Sequence, residues 1–239
     1  MKTYSHTRTL DHALCDHRGE PRLSALLAAA QQISMEHCDA AGVGGGFFWE
    51  RGYAFLLAKL RLEIVRMPRG GEVVSLHSRP NLPVRAQYRR QTRMEDAAGN
   101  TLVTVDSRWV LVDIASRRLL RNLPQGIELP FLDAEEMPDL RPAQPPRWEE
   151  TEVAPVRYTM LDINRHVNNT VYGDLICNQL EQSLLADRRL GAVDIFYHRE
   201  ALPGDSIRLQ RHQEGDRFFV RGLVGESVCF EANGVLEAV

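Results

Sequence analysis

The sequence predicts an α+β fold built twice in tandem. Three observations carry that expectation. One long helix signal stands near the start, a train of strand signals follows it, and the same order returns after a proline-dense stretch. A long helix followed by antiparallel strands can bury its apolar stripe against one face of their sheet.

The helix signal covers about residues 22–41, where Leu23, Leu26, Leu27, Ala30, Ile33, Ser34 and Cys38 recur at helical spacing. The glycine-rich run 42–46 stops it. Strand signals follow at 53–66, 72–79, 87–96 and 101–113. Turn residues at 68–71, 80–83 and Gly99-Asn100 separate them.

Between residues 123 and 150 stand Pro124, Pro130, Pro138, Pro142, Pro145 and Pro146, among acidic residues. Proline at this density reads as a linker. The expected organisation is an N-terminal unit at 1–123, a linker at 124–150 and a C-terminal unit at 151–239. In the second unit, 151–160 reads as extended and 169 to about 190 as helix, with Val171, Leu175, Leu180 and Leu184 inward. Strands are expected at 192–198, 206–210, 217–224 and 227–236, with turns at Gly204-Asp205 and Gly215-Asp216. The duplication lies in element order, not in residue identity.

Composition narrows the function classes. The net charge of -3 gives no reason to expect nucleic acid or an anionic membrane as partner. The longest apolar stretch, 23–30, falls well short of the roughly 20 residues that span a bilayer. The first residues hold no apolar signal segment. Cys15, Cys38, Cys177 and Cys229 form no CxxC pair and accompany no metal-ligand spacing. Free thiols in the cytoplasm, with no metal and no organic cofactor, are therefore expected.

The chemistry concentrates in residues 159–172, TMLDINRHVNNTVY. Asp162, Asn164 and His166 are spaced by two, so in an extended chain they share one face. Leu161, Ile163 and Val167 then point into packing. Asn168 or Asn169 stands where a helix N-cap is expected, and the backbone N–H groups there suit a developing oxyanion. The competing reading is structural, because Asp, Asn and His also gather in loops to make turns and caps.

The pattern DxNxHVNNxxY, here Asp162, Asn164, His166, Val167, Asn168, Asn169 and Tyr172, resembles the signature of the acyl-acyl carrier protein thioesterases. RMPRGGEVV (66–74), SRWVLVD (107–113), SRRLLRNLP (116–124) and YHREA (197–201) are similar to further segments of that family. The resemblance implies a double, tandem hot-dog fold, in which each unit is a long helix wrapped by a curved antiparallel sheet. It implies catalytic roles for Asp162, Asn164, His166 and Glu200, and acyl carrier protein as partner of a monomer or homodimer. Asn168 and Asn169 become candidate substrate-binding residues. One departure stands out: plant members have Cys where this chain has Ala201, so a thiol nucleophile is lost there.

On residue chemistry, Glu200 or Asp162 activates water as general base, or Asp162 attacks directly. By family analogy the acyl tunnel lies in the first unit, with Leu26, Ala29, Ala30, Ile33, Phe55 and Leu57 as candidates. Arg89-Arg90 and Arg117-Arg118 are candidate contacts for an acidic carrier, each weighed against a plain solvated strand face. His37, His77 and His198 are expected on strand or helix surfaces without catalytic duty. Two alternatives remain open: the same chemistry on coenzyme A esters, and a non-catalytic acyl or carrier-binding protein.

Overall fold

The structure is a computed structural model that describes residues 2–44, 46–132 and 139–239. Gly45 and Pro138, which belong to the expected helix stop and linker, lie outside the described residues. The chain opens with strand β1 (Tyr4–Thr9) and helix α1 (Leu23–Ala40). Strands β2 (Tyr53–Ile64), β3 (Val73–Val84), β4 (Gln87–Glu95), β5 (Thr101–Asp113) and the short β6 (Arg118–Leu120) complete the first half. The second half contains β7 (Glu149–Pro155), helix α2 (Val171–Cys177), β8 (Arg188–Tyr197), β9 (Ser206–Glu214), β10 (Arg217–Val224) and β11 (Ser227–Ala238).

The strands form one antiparallel sheet in the order β1-β3-β4-β5-β2-β8-β11-β10-β9-β7, with β6 added beside β5. The two halves join where β2 pairs with β8, from Lys59 opposite Phe196 to Glu63 opposite Ala192. At that seam Arg61 Nε and Nη2 donate to Asp194 Oδ1 and Oδ2, both at 2.7 Å. A fork-to-fork pair of this kind fixes the register as well as the contact. The result is a duplicated, curved-sheet α+β architecture consistent with a double hot-dog fold.

Helix α1 follows the apolar stripe read from the sequence. Leu23, Leu26, Leu27, Ala30 and Ile33 are buried on it, and so are Ser34 and His37. The two helices meet closely at Gly173, where an added Cβ would sit 2.9 Å from Ser24 N and 3.1 Å from Leu27 Cδ1. Glycine at this position lets α2 lie directly on the start of α1.

The second long helix is not there. α2 spans 7 residues, not the stretch from 169 to about 190. Its continuation is diverted by Gln179, which is 5% exposed. The Gln179 side chain accepts from Thr151 Oγ1 and donates to Glu152 Oε1, and its carbonyl accepts from Arg211. Strands β7 and β9 thus recruit groups that a longer helix would have turned elsewhere. A short 3-10 turn at Leu184–Ala186 then leads into β8.

Residues 80–83, expected as a turn, instead continue β3. Pro80 lies opposite Arg90 and Asn81 opposite Arg89. On the other side Leu132 pairs with this extension: Leu132 N donates to Pro80 O at 2.9 Å and Leu82 N to Leu132 O at 3.0 Å. Proline is tolerated because β1 pairs with β3 only as far as Ser78, leaving the rest of β3 near an edge. Farther along, Leu140 is 2% exposed and its carbonyl accepts from Lys59 Nζ at 2.8 Å.

Candidate active site

The motif segment is a closed loop, not an extended strand. A bridge between Leu161 and Val167 draws its ends together. Asp162 N donates to His166 O at 2.8 Å, and Arg165 N donates to Asp162 O at 3.0 Å. The Asp162 carboxylate accepts from the backbone N–H of Asn164 at 2.8 Å and of His166 at 3.2 Å. Arg165 takes a φ of 63°, the left-handed conformation that reverses the chain. A side chain that satisfies two nearby N–H groups outcompetes the extended conformation here. The structural alternative for this cluster is therefore real, and it concerns Asp162 above all.

The expected split into a polar and an apolar face fails for the same reason. Val167 is buried, but Ile163 at the loop apex is 97% exposed. Asn164 is also exposed, and among the described residues its side chain has no hydrogen-bond partner.

The loop is tied to the YHREA segment by one backbone bond, Val167 N to Ala201 O at 2.9 Å. Its immediate neighbours meet in consequence. His166 Nδ1 lies 3.3 Å from Glu200 Oε1, with both side chains partly open to solvent. Ala201 itself is 0% exposed. The position that carries Cys in plant members therefore faces the core.

The segment after the loop divides two roles expected of Asn168 and Asn169. Asn168 Oδ1 accepts from Thr170 N and Thr170 Oγ1, both at 2.9 Å, capping the turn that opens into α2. Asn168 N, expected as an oxyanion donor, instead donates to Met160 O at 2.9 Å. Asn169 accepts from Tyr197 Oη at 3.2 Å through its carbonyl. Burial pushes the hydroxyls of both Tyr172 and Tyr197 well above the usual phenol range.

Asn169, Thr170 and Tyr197 also line a narrow, mostly apolar cleft. Its walls are Ala30, Ser34, Leu57, Ser107 and Trp109, from α1, β2 and β5. The cleft thus draws its lining from both halves of the chain, and neither His166 nor Glu200 is part of that lining. Ala30 and Leu57 line it as the sequence implied. Leu26 and Ile33, 3% and 0% exposed, are core. Phe55 joins an aromatic ladder with Phe48 and Tyr88. A second, more open hollow is bounded by Tyr158, Thr159, Leu161, Asp162, Arg165 and Pro203.

Several further expectations need correction. Arg89 is 7% exposed, and Arg90 points inward to Ser78, His37 and Cys38, so this pair is no solvated docking face. Arg117 and Arg118 are exposed. His37 is buried between α1 and β3, where its Nδ1 lies 3.2 Å from Ser78 Oγ. The four cysteines are free; burial pushes the Cys177 thiol up to about 12 and the Cys229 thiol up to about 11. Among the described residues no cluster of His, Cys, Asp and Glu is arranged to hold a metal ion. Among the same residues no helix is long and apolar enough to cross a membrane.

Comparison with known proteins agrees with this architecture. Two family profiles match, the acyl-ACP thioesterase N-terminal domain over residues 2–128 and the C-terminal domain over 144–224. A chloroplastic palmitoyl-acyl carrier protein thioesterase from Cuphea hookeriana is 26% identical over 196 residues, which is 71% of this chain and 45% of that protein. A chloroplastic oleoyl-acyl carrier protein thioesterase from Arabidopsis thaliana is 25% identical over 193 residues, 72% of this chain and 50% of that protein. The chain spans about half the length of the curated relatives it matches. The solved acyl-ACP thioesterase from Bacteroides thetaiotaomicron superposes with a TM-score of 0.86 at 20% identity, covering 99% of this chain and 98% of that one. The 12:0-ACP thioesterase from Umbellularia californica superposes at 0.84 and 18% identity, covering 100% and 98%. With both profiles matched in chain order across most of its length, this chain belongs to the acyl-ACP thioesterase family.

Proposed function

We propose that this protein hydrolyses fatty acyl-acyl carrier protein, releasing the free fatty acid and the carrier thiol and so ending chain elongation. The observation that carries the reading is the His166–Glu200 pair, 3.3 Å apart and partly open to solvent. Hydrolysis needs a base for water, which this pair supplies, and an apolar path for the acyl chain, which in this reading opens along the cleft between α1, β2 and β5. In this reading residues 1–123 bind the acyl chain, 124–150 connect, and 151–239 carry the chemistry. The free thiols support a reducing compartment such as the cytoplasm.

Glu200, oriented by His166, takes a proton from water as the water oxygen bonds to the thioester carbonyl carbon. The C–S bond then breaks and the thiolate leaves with little acid assistance, because a thiol pKa is about 8.5. Asp162 is a positioning residue: two backbone N–H groups hold its carboxylate inside the loop. This favours Glu200 over Asp162 as base and disfavours direct attack by Asp162. Asn164, exposed at the apex, orients the thioester, and Asn169 guides the acyl chain into the cleft.

The loop surface favours a protein carrier over coenzyme A. Ile163 and Tyr158 are 97% and 90% exposed, and Arg157 and Arg165 are exposed nearby in sequence. Projecting apolar side chains among arginines suit an acidic protein surface better than a small thiol. The test is thiol release from acyl-carrier-protein and acyl-coenzyme A substrates, wild type beside Glu200→Gln. Turnover that falls by roughly 10²-fold in the variant supports the reading. An inert wild type leaves the binding-protein alternative in its place.

A further inference from the structure

Glu200 sits on a short backbone stretch, residues 198–201, just past the end of β8. Main-chain bonds hold both ends of it. His198 N and Arg199 N donate to Cys229 O at 2.9 and 3.2 Å, and Ala201 O accepts from Val167 N at 2.9 Å. On the face toward the helices, Tyr172 packs on Tyr197 and Phe230, with ring centroids 5.7 and 4.8 Å apart.

The outer face carries a further contact that the chemistry does not use. Glu231 lies opposite Phe196 in the β8–β11 register, and His198, two residues on, shares that face. Glu231 Oε2 lies 3.5 Å from His198 Nε2, and its side chain is only 14% exposed. A carboxylate with so little access to water needs partners. The His198 imidazole holds the Glu231 carboxyl below the usual carboxylate range; burial works against this, and Gln144 and Arg221 support it.

Gln144 belongs to the segment that connects the two halves, and its Nε2 donates to Glu231 Oε1 at 3.4 Å. That segment is laid across the outer face of the sheet. Leu140 O accepts from Lys59 Nζ on β2, and Ala143 N donates to Asn233 Oδ1 on β11 at 3.2 Å. Farther on, the Arg221 guanidinium of β10 lies 4.3 Å from the centre of the Trp148 ring. The connection between the halves thus also braces Glu231 from outside.

We infer that Glu231 is a positioning residue for Glu200: braced by the connecting segment through Gln144, it fixes His198 and with it the backbone stretch that carries the base. The inference rests on the hydrolase reading above. Glu231 stands on the sheet face opposite the cleft, so it acts through His198 and not on the substrate. A displacement of about 1 Å in a reacting group costs on the order of 10²-fold in rate. A contact of modest strength therefore matters to kcat when it sets where the base stands.

The test compares wild type, His198→Ala, Glu231→Ala, the double variant and Glu231→Gln on a panel of saturated acyl-carrier-protein thioesters. Amide hydrogen exchange at His198 and Arg199 gives a readout independent of turnover. Each Ala variant should lower kcat by about tenfold with KM unchanged, and the double variant should be no worse than either. Glu231→Gln keeps an oxygen for the imidazole N–H and should recover to within about threefold of wild type. Exchange at the two amides should quicken by about tenfold in the Ala variants. His198 is 42% exposed, so its truncation leaves the core intact and decides the matter if Glu231→Ala folds poorly. Unchanged kcat in His198→Ala, a rise in KM alone, additive losses, or a Gln variant as slow as the Ala variant overturns the positioning role. Unchanged exchange in every variant overturns it whatever the activity. A wild type that releases no thiol, with exchange still quickened by the variants, overturns the hydrolase reading and leaves the bracing of this stretch standing.

Discussion

His166 Nδ1 and Glu200 Oε1 lie 3.3 Å apart because the residues after them, Val167 and Ala201, share a backbone hydrogen bond of 2.9 Å. The pair is therefore fixed by main-chain geometry, with its side chains left partly open for water. Glu200→Gln and His166→Ala should each lower kcat by roughly 10²-fold. The double variant should be little worse than either alone, as for groups that act as one unit. Additive losses in steady-state kinetics would separate the two residues.

Asp162 is engaged through an oxygen that accepts two N–H bonds, and Asn has an oxygen for the same place. Asp162→Asn is expected to keep activity within about tenfold of wild type, whereas Asp162→Ala should lose on the order of 10²-fold. Equal losses in both would point instead to the carboxylate charge as a reactant.

Ile163 and Tyr158 stand out from the loop at 97% and 90% exposure. Ile163→Ser with Tyr158→Ser should raise KM for acyl carrier protein by about tenfold through lost interface contact. The same variant should leave coenzyme A esters of the same acyl chain unchanged. A parallel rise for both substrates would remove the docking role.

At the seam of the two halves, Arg61 neutralises Asp194, whose side chain is 7% exposed. Arg61→Met should destabilise by about 3 kcal/mol in urea unfolding, because among the described residues it leaves the buried carboxylate with a single side-chain hydrogen bond, from Asn233 at 3.3 Å. Arg61→Met combined with Asp194→Leu should recover most of that loss. Additive losses in the cycle would show that the pair does not couple the halves.

Cys177 and Cys229 are held protonated by burial, with pKa values of about 12 and about 11 against an ordinary 9.0. Above the ordinary value the unfolded chain releases these protons and the native chain keeps them. The native state then binds more protons, so stability falls as pH rises from about 9 toward 11. Unfolding midpoints across that range should drop in wild type and drop less in Cys177→Ala and Cys229→Ala. At neutral pH the buried Cys229 thiol should resist alkylation until the protein unfolds.

Much of the frame is legible in the residues themselves. Helix α1 is written in its apolar spacing and ends within about one residue of the expected span. Strands β5 and β10 coincide with their sequence signals, since each is bounded by turn residues. The β3 extension through Pro80 was not legible, because proline signals a turn unless an edge is open to receive it. The second helix was overestimated because Leu180 and Leu184 fit its period, while the partners that draw Gln179 away come from distant strands.

The α+β class, the first helix, most strands and the residue types grouped in DxNxHVNNxxY can all be read from the order of residues along the chain. Local spacing encodes these, since each depends on neighbours a few positions away. Only the tertiary structure decided that the motif closes into a loop, that Asp162 is engaged with its own backbone, and that Glu200 meets His166. It also decided that Arg90 turns inward to Ser78, His37 and Cys38 and not toward solvent. Each of these depends on which distant segment supplies a hydrogen-bond partner or excludes water, and local periodicity carries no record of that.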